Sequence, residues 1–354
     1  MKLRQTRAMH RWSAFVGSAV VVSSLALVGC STGTPAPSGT PTSGTQTATQ
    51  PPAAETYTIG IVEQQLANPF FAKLQQAAVD AAKAAGLEVT TAESKTAGDS
   101  ATQVDAIENM IARGVKGIVL DPANATALVD VVQRARDAGI LVVTVNTSLE
   151  PVDAADASFE TDNLAGGRLM GQWAKAALGD QEPRVAMLDY DLSDKTAAAR
   201  HNGFLEGFGL TEDSPEIVGT ALTKSNVETG QTAMENLLSA HPDINALYTI
   251  NEPAAQGAFI AISNAGKQEQ IAITSIDGSC SGVQSVVDGE IGATVMQFPS
   301  RMGELAVQAI VDYVESGTKP SGVIDSGTAL ITDRPVEGIE SHDTAWGLQN
   351  CWGE

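Results

Sequence analysis

The sequence predicts an α/β protein of two lobes, each carrying a doubly wound parallel sheet, and three observations lead there. From residue 57 onward, apolar β-branched runs alternate with helix-length amphipathic segments. Continuous apolar strands between helices point to parallel sheets covered on both faces. The chain has 354 residues, more than one ordinary domain and enough for two cores. An acidic, irregular stretch, Thr147 to Ala157, breaks the alternation and leads from one lobe toward the other.

The amino terminus is of a different kind. Residues 1–29 join a basic segment to an apolar run that is too short and too poorly flanked for a stable membrane span, so they read as a secretory signal. The run ends Leu27-Val28-Gly29-Cys30, which resembles a bacterial lipobox; that resemblance makes Cys30 the lipidated first residue of the mature protein. A signal cut elsewhere, or left uncut as an anchor, is the other reading. Residues 30–55 use almost only Ser, Thr, Gly, Pro, Ala and Gln after the cysteine and cannot bury enough apolar surface to order, so they form a tether.

The first strand is Tyr57-Thr58-Ile59-Gly60-Ile61-Val62, and Asn68-Pro69 opens the helix behind it. Pro69 suits the first helical position because it has no N–H to leave unpaired. Phe71, Leu74, Ala77, Ala78 and Ala81 then repeat at helical spacing. Further strands are predicted at 88–92, 117–121, 141–146, 184–189, 216–222, 246–250, 271–276 and 292–297. Helices are predicted at 100–114, 124–138, 226–240 and 299–317 among others. After the break, Asn163 is placed to cap the helix that begins Leu164-Ala165-Gly166.

The formal charge is −21, and removal of the four basic residues of the signal takes it to −25. Such a surface repels phosphate backbones and anionic headgroups, which argues against nucleic acid and against any membrane contact beyond the lipid. Beyond Cys30 the chain holds Cys280 and Cys351. Export permits a disulfide, and one pairing is the simplest count; two free thiols are the alternative. Closing so long a loop would stabilise by roughly 4 kcal/mol as an upper figure.

Five polar residues recur at the carboxyl ends of predicted strands or in the turns that follow: Asn68, Asn146, Asn251, Asp277 and Gln297. Arg200 sits early in a helix. That edge is where open α/β sheets bind ligands. Amides, a carboxylate and a forked guanidinium are the groups that hold sugar hydroxyls, which both donate and accept. Phe70 and Phe71 offer flat faces for a sugar's C–H side. Taken singly, each asparagine is a turn former, each phenylalanine a core residue and Arg200 a solvated helix residue. Their recurrence at one edge of both lobes argues for a shared cleft.

On these residues the chain resembles the pentose- and hexose-binding proteins of bacterial ABC importers, the ribose-binding or type I periplasmic-binding family. The resemblance covers residues 56–354 and rests on Asn68-Pro69-Phe70-Phe71, Thr161-Asp162-Asn163, Arg200 with Gly203-Phe204, Asn251-Glu252, Ile276-Asp277-Gly278 and Gln297. It is most similar to fructose-importer receptors through Asp105 to Met110, Gly171 to Lys175, Thr249 to Ala255 and the tail Leu348 to Gly353. The resemblance implies two lobes, 56–161 with 298–327 and 162–297 with 328–354, joined by a three-strand hinge. It implies a monosaccharide ligand, fructose first, a permease as partner, a monomer, and no cofactor, metal or catalytic residue. Asn68, Phe70 and Phe71 would form one wall, and Arg200, Asn251, Asp277 and Gln297 the other. Ribose-binding relatives carry Asp-Arg where this chain has Asn146-Thr147. The second-lobe aromatic of those relatives is replaced near Ser225-Asn226, which makes Asn226 a further contact.

An enzyme is the first rival. His10, His201, His241 and His342 show no metal-ligand spacing, and no nucleophile elbow or phosphate-cradling loop follows a strand. His201 is expected on a helix surface, and Asp189 and Asp191 in a turn or between lobes. The second rival is a sensor of the same fold that presents a sugar or autoinducer to a membrane receptor.

Overall fold

A computed structural model of the chain describes residues 56–353 except position 97. The signal 1–29, the tether 30–55 and Cys30 lie outside the described residues.

The chain begins β1 (Thr58–Glu63), α1 (Pro69–Ala84), β2 (Glu88–Glu93), α2 (Ser100–Arg113), β3 (Gly117–Leu120), α3 (Val129–Asp137), β4 (Leu141–Val145) and β5 (Ala157–Glu160). It continues α4 (Asn163–Leu178), β6 (Val185–Asp189), α5 (Lys195–Phe208), β7 (Ile217–Leu222), α6 (Val227–Ala240), β8 (Ala246–Thr249), α7 (Glu252–Asn264), β9 (Ala272–Asp277), α8 (Cys280–Val287) and β10 (Ala293–Gln297). Last come α9 (Pro299–Ser316), β11 (Val323–Asp325), β12 (Thr328–Ile331) and α10 (Thr344–Asn350).

Twelve strands make two six-stranded sheets, ordered β2-β1-β3-β4-β5-β11 and β7-β6-β8-β9-β10-β12. Pairing is parallel except between β10 and β12. Each sheet reverses direction of winding at its first strand, so each has a switch-point crevice at the carboxyl ends of β1 and β3 or of β6 and β8. The first sheet is covered by α1 and α9 on one face, around Leu74 and Ile310, and by α2 and α3 on the other, around Ile107 and Val132. The second is covered by α4 and α5 around Trp173 and Phe204, and by α6 and α7 around Met234 and Ala258.

The backbone passes between sheets at Thr161-Asp162, at Phe298 and at Ser326-Gly327. The first and third passages are bonded together. Asp325 Oδ1 accepts from Asp162 N at 3.2 Å and from Gly327 N at 2.8 Å, and Ser326 N donates to Glu160 O at 2.7 Å. Gly327 has φ +91°, a left-handed turn that a side chain would strain.

Several local expectations change. The helix predicted over 124–138 starts at Val129, because Asn124 Oδ1 accepts from Thr126 N and Ala127 N and holds the entry as a turn. The strand predicted over 141–146 stops at Val145, since Asn146 takes φ +62°. The cap of α4 is Asp162, whose carboxylate accepts from Ala165 N at 2.9 Å; Asn163 lies inside the helix. Strands β5, β11 and β12 were not expected; β5 follows β4 and β12 follows β11 with no α-helix between, outside the alternation.

Candidate functional site

The two carboxyl edges face each other across a cavity of about 560 Å³, within the range of small-ligand sites. Eight predicted contacts line it: Asn68, Phe70, Phe71, Asn146, Arg200, Asn251, Asp277 and Gln297. Asn226 is a correction. It is exposed and outside the cavity, with its Oδ1 capping α6 through Thr229 N at 3.0 Å. A hollow of about 660 Å³ lies beside α9 and the carboxy-terminal tail, but it is built from helix sides and contains no buried polar side chain.

Bonds within the protein decide what each side chain has left for a ligand. Asn68 caps α1, accepting from Phe70 N at 3.0 Å, and keeps its amide N–H groups. Asn251 caps α7 through Ala254 N at 3.1 Å and donates to Ser225 O at 3.2 Å, so its main duty is to shape the wall. Arg200 is buried. Its Nε donates to Asn163 Oδ1 at 2.8 Å and its Nη1 to Ile250 O at 3.0 Å, leaving Nη2 without a partner among the described residues. Gln297 donates to Asp277 Oδ1 at 3.1 Å and keeps its carbonyl oxygen.

Asp277 is the central acceptor. Its Oδ2 receives Glu252 N at 3.3 Å, and Arg200 Nη1 stands 3.9 Å from Oδ1. Burial, reinforced by the charge of Glu252 and opposed by Arg200, pushes its carboxyl up to about 7. Glu252 itself is buried and holds the loop below. It accepts from Gly278 N at 2.9 Å, Ser279 N at 3.1 Å and the hydroxyls of Ser279 and Thr294 at 2.5 and 2.7 Å.

Two aromatics join the site that the sequence reading passed over. Tyr190, directly after β6, is 41% exposed and lines the second lobe's wall of the cavity. Trp352 forms part of the floor: its ring meets Phe70 edge-on at 5.2 Å, and its Nε1 donates to Asp277 O at 3.1 Å and Gln297 O at 3.2 Å. Cys280 and Cys351 are bonded in the structure, which brings the tail beneath the strand ends. An aromatic next to a strand end, and one next to a cysteine whose partner follows Asp277, were the signals available.

His201 is a second correction. It is 2% exposed, with Nδ1 3.0 Å from Asp189 and Nε2 2.7 Å from Glu212. Burial alone would lower its pKa; the two carboxylates outweigh burial and raise it. Between the lobes, Lys195 of the second meets Glu150 of the first at 3.1 Å, both half exposed, a pair worth little in water.

A family model described as periplasmic binding protein domain matches residues 59–319, across both sheets. The chain belongs to this family. The ribose import binding protein of Bacillus subtilis (strain 168) is 30% identical over 278 residues, which is 78% of this chain and 88% of that one. The D-allose-binding periplasmic protein of Escherichia coli (strain K12) is 28% identical over 263 residues, 73% of this chain and 84% of that one. A solved structure of an ABC transporter solute binding protein from Bacillus halodurans, with myo-inositol bound, matches with TM-score 0.70 at 25% identity. It covers 78% of this chain and 94% of its own. As a periplasmic binding protein the chain is a solute-binding protein and not an enzyme.

Proposed function

We propose that the chain is the sugar receptor of an ABC importer, closing its lobes on one monosaccharide and handing it to the permease. One observation carries this: a cavity at both carboxyl edges where spare donors (the Asn68 amide, Arg200 Nη2), spare acceptor capacity (Asp277, the Gln297 carbonyl) and aromatic faces (Phe71, Tyr190) converge. Closure about the three passages is a hinge motion, and the closed form is the state a permease would select. The relatives that bind ribose and D-allose by name support the class of ligand. Fructose is the specific proposal, resting on the fructose-receptor motifs at residues 105–110, 171–175, 249–255 and 348–353. Attachment through a lipid on Cys30, with 30–55 as leash, is part of the same reading, as is action as a monomer.

Binding calorimetry against fructose, ribose, D-allose, mannose, xylose and myo-inositol tests it. Fructose is expected to bind tightest, near micromolar Kd, about −8 kcal/mol. If another sugar binds tighter, fructose falls; if none binds or raises Tm, the sugar reading falls. Mass analysis of the exported protein should find diacylglycerol on Cys30, and an unmodified or differently cut amino terminus would remove the anchor.

A further inference from the structure

Arg200 is a buried cation with one nitrogen left open. Its Nε donates to Asn163 Oδ1 at 2.8 Å and its Nη1 to Ile250 O at 3.0 Å, with Asp277 Oδ1 3.9 Å from Nη1. Nη2 has no partner among the described residues and is not sealed from solvent, and Arg200 lines the cavity. The guanidinium is a rigid plane, so the donor that a ligand meets is placed by the bonds to the other two nitrogens. One of those bonds is to a backbone carbonyl. The other is to a side chain, Asn163, that does not itself line the cavity.

Asn163 makes two side-chain bonds, and together they leave its amide one orientation. Its Nδ2 donates to Thr161 O at 3.1 Å while its Oδ1 accepts from Arg200. A carbonyl cannot donate and a guanidinium cannot accept, so turning the amide over would break both bonds and set like groups together. Both bonds are buried, where an unmade one is costly. Thr161 belongs to the first passage between the sheets, so the amide is anchored on backbone that the passage itself fixes.

The helices that carry the two residues leave little room for adjustment. A Cβ on Gly167 of α4 would stand 2.2 Å from Arg200 O, and one on Gly203 of α5 would stand 2.9 Å from Arg168 N. Asn163 and Arg200 therefore keep a set distance. Beside the guanidinium, Asp277 receives Gln297 Nε2 on Oδ1 at 3.1 Å and Glu252 N on Oδ2 at 3.3 Å, and it also lines the cavity. A sugar hydroxyl both accepts and donates, so one placed here can accept from Nη2 and give its own proton to Asp277.

We propose that Asn163 is a positioning residue of the sugar site, which aims the free Nη2 of Arg200 at one hydroxyl of the ligand. A guanidinium tied at one point can swing to follow hydroxyls of different stereochemistry. Tied at both Nε and Nη1, it favours the sugar that puts an acceptor in line with Nη2. Asn163 acts through Arg200 and touches no ligand. The inference rests on the sugar reading of the cavity and deepens it, by naming a residue that selects among sugars.

The test uses the full chain, the sugar that binds tightest and each of its monodeoxy analogues, with binding read by calorimetry. The ratio of analogue Kd to parent Kd weighs each hydroxyl separately. Asn163→Leu keeps the bulk of the side chain and removes the acceptor. For one hydroxyl the ratio should then fall by about tenfold or more, toward one, while the others stay within about twofold. Asn163→Asp still accepts from Nε, although it loses the bond to Thr161 O, and it should keep every wild-type ratio. A merely structural role would lower Tm or weaken all the sugars evenly, leaving the ratios alone. Thermal unfolding shows whether each variant is folded; where the leucine variant is not, Asn163→Ala takes its place. The proposal is overturned if a folded variant without the acceptor keeps every ratio, if all ratios change together, or if Asn163→Asp loses the same one. A wild type that binds none of the sugars removes the sugar reading itself, a separate and recognisable failure.

Discussion

Trp352 joins both lobes with one side chain. Its ring packs against Phe70 of the first lobe, and its N–H is shared by the carbonyls of Asp277 and Gln297 at the ends of β9 and β10 of the second. Those carbonyls belong to two residues that line the cavity. Trp352→Phe keeps an aromatic at the floor and removes the donor. Leaving buried acceptors unpaired costs about 1–3 kcal/mol, so sugar affinity is expected to fall by roughly 5- to 100-fold. The same unpaired carbonyls burden the folded state, so Tm is expected to fall as well. Calorimetry beside thermal unfolding separates the two, and an unchanged Kd would make Trp352 only a packing residue. Nothing local in Asn350-Cys351-Trp352 announces this role, since it depends on the Cys280–Cys351 bond, a contact across 71 residues.

At the scale of elements, α4 and α5 meet almost backbone to backbone. A Cβ on Gly203 would stand 2.2 Å from Leu164 O, and one on Gly167 would stand 2.2 Å from Arg200 O. That approach sets Arg200 against Asn163, so its guanidinium is aimed by an amide on the neighbouring helix. Gly203→Ala forces the helices apart. Overpacking of this kind costs about 1–3 kcal/mol, and here it should lower Tm and weaken sugar binding together, by moving Arg200. Thermal unfolding that stays at the wild-type Tm would contradict the close approach. The main strands were legible because parallel strands covered on both faces read as unbroken apolar runs. The short β5, β11 and β12 were not, since β5 follows β4 and β12 follows β11 with no α-helix between, outside the strand–helix alternation. Strand-end polar residues gave most of the cavity wall. Asn163 and His201 escaped because their roles come from partners elsewhere in the chain, as Asn163 shows by meeting Arg200 across 37 residues.

Over the whole molecule, buried acids dominate the pH response. Glu63, Asp121, Asp189, Glu252 and Asp277 are all raised, chiefly by burial, Asp121 and Asp277 to about 7. A group whose folded pKa lies above its unfolded value contributes stability below the unfolded pKa and loses it as pH rises through the folded one. His201, also raised, has the same sign. The depressed carboxyls, Asp99, Asp191, Glu206 and Asp243, work the other way, but they are surface groups whose contribution fades only as pH falls below about 4. Net charge −21 adds self-repulsion as the acids ionise. Tm should therefore be higher at pH 5 than at pH 8, with the steepest decline near pH 7. Scanning calorimetry across that range checks it, and a Tm that climbs toward pH 8 would overturn the assignment.

The three passages between sheets have a consequence for how the chain can be made. Neither lobe is a contiguous stretch: the first needs α9 and β11, and β11 is added only after nearly all of the second has been synthesised. A chain growing from its amino end holds β5 as an open sheet edge until Asp325 appears, and the second sheet waits longer still for β12. Synthesis thus outruns folding, and no single cut releases a complete lobe. The two halves proposed to close on a ligand are, as objects to be folded, one.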